Sequence, residues 1–221
     1  MAAELQWDKT GEHYYETGVD RGVLFVWDGT ANAWGNGVAW SGLSKVTDKP
    51  TGAEVTKLYA DNQVYLSLIS AEEFEASIEA YQYPPEFAAC DGIKVVDGVR
   101  MGQQDRAAFC LAYRTIKGND TARNAHGSII HILYGLVAQP SEKEHETVND
   151  SPTAASLSWD CKSTPVPAKD SKPTSVIELD SDLVKKKAFD AVTKALWGST
   201  EAESKLLLPD EVFALVKANQ A

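Results

Sequence analysis

Residues 70–92 read SAEEFEASIEAYQYPPEFAACDG, and the fold turns on how this stretch is assigned. Phe74, Ala76, Ile78 and Ala80 alternate with Glu73, Glu75, Ser77 and Tyr81, the period of a strand with one buried face and one acidic face. The same residues admit a helix. Ser70 and Glu73 have the spacing of a capping box, and Phe74, Ile78 and Tyr81 recur at helical intervals, so periodicity leaves both readings open. Pro84 and Pro85 then stop regular structure, hold Tyr83 extended, and hand the chain to a turn at Asp91 and Gly92.

On the N-terminal side, residues 55–60 and 64–69 are strand candidates flanking Asp61 and Asn62, and residues 48–52 form a proline and glycine loop. A short strand at 23–27 closes at Asp28 and Gly29. The glycine-rich DGTANAWGNG then returns the chain to a strand at 37–40, as a hairpin would. Residues 1–17 lack periodicity and read as an arm. On the C-terminal side, 93–96 and 99–102 flank Asp97 and Gly98, the strongest hairpin signal in the chain.

Two longer strands follow. Phe109, Leu111 and Tyr113 alternate with Cys110, Ala112 and Arg114, and residues 129–138 are an apolar run interrupted by His131 and Gly135. The polar KGNDTARNAHG between them reads as a loop, and the charged stretch 139–152 as a longer one that projects. Leu157, Trp159 and Cys161 alternate as another strand, KSTPVPAKDSKPT crosses the surface, and 176–179 is a last short strand. The period then changes. Val184, Ala188, Val192 and Ala195 share one helical face beside Phe189 and Leu196, from about Asp182 to Gly198. A second helix opens at Pro209 with Asp210 and Glu211 in its first turn and Val212, Leu215 and Val216 as its stripe. The pattern predicts a mainly β protein: a sandwich or barrel over 18–180 with protruding loops, a flanking helix, and a helical segment over 181–221.

The chain has 221 residues, 43% hydrophobic and 24% charged, a net charge of -11 and a mean hydropathy of -0.28. Such a surface repels a phosphate backbone, which argues against nucleic-acid binding. No apolar run approaches the roughly 18 residues of a membrane helix, and MAAELQWDKTGEHYYE lacks the regions of a signal peptide, so synthesis and retention in a cytoplasm are expected, without membrane insertion. Cys90, Cys110 and Cys161 are too far apart for a paired motif and read as buried free thiols. His13, His126, His131 and His145 show no metal-ligand spacing; His131 reads as a hydrogen-bonded core histidine, or as a base beside Cys110 on an adjacent strand. The glycines of the 28–37 loop lack a phosphate cradle's spacing, and its calcium-loop likeness lacks the closing glutamate. No catalytic residue and no cofactor is expected. Glu73, Glu75 and Glu79 share one face if 70–83 is a strand, and carboxylates so arranged resist contact with a polyanion.

The IEAYQYPPEFAACDG segment also resembles one found in major tail proteins of long, non-contractile-tailed phages of Gram-positive bacteria. GVDRGVLFV from Gly18, LYADN from Leu58, GQQDRAAFCLAYRTIKGND from Gly102, and YGLVAQPSE through TVNDSP from Tyr134 resemble the same family in the same order. The resemblance implies a β-sandwich subunit of the tail tube, stacked as hexameric rings around the channel through which the genome leaves. It implies partners as well: further copies of itself, a tape-measure protein inside the tube, and tail-tip and tail-terminator proteins at its ends. Its place would be the virion, with genomic DNA passing unbound along a lumen lined by Glu73, Glu75 and Glu79. Trp7, Tyr14 and Tyr15 of the arm and Glu142, Lys143, Glu144 and His145 of the long loop are then the candidates for contacts between rings. A β-sandwich carbohydrate-binding module, with its Trp and Tyr residues as stacking surface, is the alternative.

Overall fold

The computed structural model describes residues 5–145, 147, 150 and 154–220. In chain order the strands are β1 (Tyr14–Asp28), β2 (Ala33–Trp34), β3 (Val38–Trp40), β4 (Leu43–Gly52), β5 (Val55–Ala60), β6 (Gln63–Ile69) and β7 (Glu72–Ala80). After a single-turn helix α1 (Phe87–Cys90) come β8 (Lys94–Val96), β9 (Val99–Met101), β10 (Phe109–Asn119), β11 (Arg123–Ala138), β12 (Leu157–Ser163) and β13 (Val176–Asp180). Helices α2 (Lys186–Trp197) and α3 (Pro209–Asn219) end the fold.

The contested stretch is a strand because it is paired on both edges. β7 runs antiparallel to β12, with Ile78 opposite Trp159, and antiparallel to β4, with Ile78 opposite Val46. Ala76, Ile78 and Ala80 are wholly buried, while Glu73 stays exposed, as alternation requires. A helix over these residues would have offered its partners no backbone donors. The expected loop at 48–52 is instead part of β4, with Pro50 opposite Phe74. Proline is tolerated there because β4 is the last strand of the path, and its outer edge needs no donor.

The main sheet follows the order β2-β1-β10-β11-β12-β7-β4, with β3 also on β1 and β13 also on β11. One strand joins two layers. β11 pairs with β13 over 129–133 and with β12 over 136–138, and the change of partner falls at Gly135. Its φ is +59°, and a Cβ there would lie 2.3 Å from the carbonyl oxygen of Thr164, so only glycine fits the fold-over. Leu24, Leu111 and Leu133 of one layer consequently pack with Ile78, Trp159 and Cys161 of the other, which makes a β-sandwich. Phe87, carried by α1 after the proline pair, fills its centre against Trp40, Phe109 and Trp159.

The opposite face of β1, β10 and β11 forms a second core. Phe25, Cys110, Ala112, Ile132 and Tyr134 lie under Val192 and Leu196 of α2, Val212 of α3, and Leu206 and Leu207 between the helices. Burial on both faces explains why the first half of β10, FCLAY, is apolar without interruption. α2 begins at Lys186, four residues beyond the expected start, because Asp182 is engaged in a turn where its N–H donates to the Asp180 carboxylate.

Two further expectations are corrected. β1 starts at Tyr14, inside the supposed arm 1–17, and pairs Tyr14 through Thr17 with residues 116–119 of β10. The polar 117–127 stretch is mostly strand, closed by a tight turn in which Asn119 Oδ1 accepts the N–H groups of Thr121 and Ala122.

Candidate functional site

β5 and β6 form a two-stranded sheet of their own, projecting from the end of β4 and β7. The backbone crosses into it at Gly52 and Ala53, both at positive φ, and a Cβ on Gly52 would lie 2.2 Å from the Ala71 carbonyl oxygen. Leu58, Leu66 and Leu68 line one face, and Val55, Tyr59 and Ile69 the other. With Val64 and Tyr65, these side chains are 44–74% exposed, so neither face is covered. A lone two-stranded hairpin is marginally stable in water, and apolar patches of this extent mark contact surfaces. The hairpin itself was legible from its turn. The signal of its exposed role is that VYLSLI is apolar at every position but Ser67, whereas a strand with one wet face alternates.

A second apolar surface lies where β7 ends. Tyr81, Tyr83, Pro85, Val95, Arg100 and Leu157 line an open cleft of about 480 Å³. Tyr81 is 59% exposed. The Arg100 guanidinium lies 5.4 Å from the centroid of the Tyr83 ring and donates to its hydroxyl at 3.1 Å.

Glu73, Glu75 and Glu79 do share the outer face of β7, but that face is not simply acidic. Lys45 of β4 lies 3.2 Å from Glu79, Lys162 of β12 lies 3.1 Å from Glu75, and Lys49 pairs with Asp160 at 2.6 Å. The Lys49 ammonium, with a hydrogen bond from Ser77, holds the Asp160 carboxyl below its usual range. Four carboxylates thus face three ammonium groups, and the local field is much weaker than the three glutamates suggest.

The arm and loop candidates divide. Trp7 is 75% exposed. Tyr14 packs beside His126 and Lys117, and Tyr15 donates to Asn124 at 2.7 Å, so both are engaged at home on β1. In the 139–152 loop, Glu142, Glu144 and His145 are exposed, and residues 146, 148–149 and 151–152 lie outside the described residues. Lys143 is instead tied inward to Asp91, a buried carboxylate that also accepts from Trp159 Nε1 at 3.1 Å and lies 3.6 Å from Arg106.

All three thiols are free and buried, and burial raises each to about 12. Cys110 faces the helices, whereas His131 lies on the other side of the sheet, stacked on Tyr113 with Thr115 Oγ1 2.9 Å from its Nε2. Glu16 and Glu178 approach its two ring nitrogens at 3.2 and 3.4 Å. The thiol and base reading is therefore excluded by geometry. Asp28 accepts the N–H groups of Thr30 and Ala31, which makes the glycine-rich loop a hairpin connection. Trp40 and Trp159 are in the core and Trp27 packs on Trp34, so the tryptophans offer no common stacking surface.

No protein-family model matches the chain, and no curated protein matches it. Among solved structures, a chain of the six-fold symmetrised cryo-EM structure of the anti-feeding prophage baseplate aligns with a TM-score of 0.36 and 9% identity, covering 79% of this chain and 97% of that one. That likeness is too distant to bear on function.

Proposed function

We propose that the chain is a structural subunit of a phage tail tube, assembling as stacked hexameric rings around the channel for genome delivery. The observation that carries this reading is the β5 to β6 hairpin, which bears large apolar side chains on both faces, bare in the single chain. In a chain of net charge -11, such a segment is an aggregation hazard unless other copies cover it, and ring and tube symmetry would turn the hazard into an assembly device. The sequence resemblance supplies the kind of assembly. On this reading the protein is not an enzyme and uses no cofactor. Its partners are its own copies, a tape-measure protein, and tail-tip and terminator proteins, with DNA passing along the channel unbound.

Negative-stain electron microscopy across a concentration series tests the proposal. Hollow tubes or six-fold rings are expected from the intact chain. A variant in which Asn-Gly replaces residues 53–71, joining Gly52 to its cross-strand partner Glu72, should fold but give no tubes. An intact chain that stays monodisperse at every concentration overturns the proposal.

A further inference from the structure

The bare hairpin and the Tyr81 cleft lie at opposite ends of one strand. β7 leaves the hairpin at Glu72 and delivers the chain to Tyr81, about 30 Å farther along at roughly 3.3 Å per residue. Resting on the assembly reading above, we infer that the hairpin tip of one copy seats in the Tyr81 cleft of the next, joining subunits head to tail along β7.

Three observations carry the pairing. First, a plug and a socket at opposite ends of one element make a heterologous contact, which repeats as a stack or a ring and does not close as a two-fold dimer. Second, the shapes suit each other. Asp61 and Asn62 both have positive φ, as a two-residue hairpin turn requires, so the tip is narrow, with Tyr59 and Val64 behind it to meet the apolar cleft wall. Third, the charges are complementary. Asp61 is the ionisable residue of the turn, and Arg100 is held in the cleft by Tyr83 with no carboxylate pairing with it among the described residues.

Exchanging the charges gives the test. Asp61→Arg leaves a cation on both plug and socket, and Arg100→Asp leaves an anion on both. Each variant alone should therefore raise the concentration needed for tube growth at least about tenfold, since like charges in a contact cost several kcal/mol. An equimolar mixture should grow tubes again, because each variant's plug matches the other's socket. Both positions are exposed, and thermal melts should show each variant folded like the parent. If wild-type tubes form and the single variants grow as well as wild type, or the mixture fails, the contact is wrong while the assembly reading stands. If wild type itself forms no tubes, both fall together.

Discussion

Asp91 illustrates how one residue ties a loop to the core. Its buried carboxylate accepts from the Trp159 indole and is flanked by Arg106 and Lys143, while Arg106 also donates to the Ala138 carbonyl at 3.1 Å. Arg106→Leu should destabilise the protein by about 3 kcal/mol, because it leaves a buried carboxylate short of a partner. A thermal melt would show this as a fall in Tm on the order of 10 °C. Asp182 gives a pH signature. The hydrogen bond from Lys117 lowers its carboxyl from the ordinary 3.8, so its stabilising contribution is complete above the unfolded value and disappears as pH falls through the lower folded one. Lys117→Met should accordingly flatten the acid limb of the stability curve between about pH 5 and pH 3, read by urea denaturation. The thiols supply a negative control. At neutral pH iodoacetamide should label none of Cys90, Cys110 and Cys161 until the chain is unfolded, as mass spectrometry would show, because buried protonated thiols are poor nucleophiles.

At the scale of elements, what was legible was local. Asp97-Gly98 and Asp61-Asn62 announced their hairpins, and the 3.6-residue period announced α2, because turn chemistry and helical faces are written in neighbouring residues. What was not legible was supplied by distant partners. Pro50 reads as a loop until β7 is seen to occupy only one edge of its strand. Glu75 and Glu79 read as bare acids until Lys162 and Lys45 arrive from flanking strands. The hairpin and the fold-over at Gly135 each carry a prediction. Gly135→Ala should cost about 2 kcal/mol for its left-handed backbone alone, and more for the clash with Thr164, measured by denaturant titration. Amides of β5 and β6 should exchange with solvent far faster than those of β10 in the free subunit, and become protected only in assembled material.

For the whole molecule, eleven uncompensated negative charges per copy oppose any assembly, and apolar contacts must outweigh them. Salt shortens the reach of that repulsion from about 30 Å at 0.01 M to about 8 Å at physiological strength. The concentration at which tubes appear should therefore fall several-fold as salt is raised over that range, followed by light scattering; a rise would mean that ion pairs, and not apolar burial, dominate the contacts between copies. The placement of β7 has a mechanical side too. The strand is hydrogen-bonded to β4 and β12 along both edges and runs straight into the projecting hairpin. A pull on the hairpin along that line loads these hydrogen bonds in shear, all at once, and does not peel them one after another. Tension between neighbouring copies would then be borne by the stiffest direction of the sheet, so the segment that reaches outward is anchored where the molecule is hardest to tear.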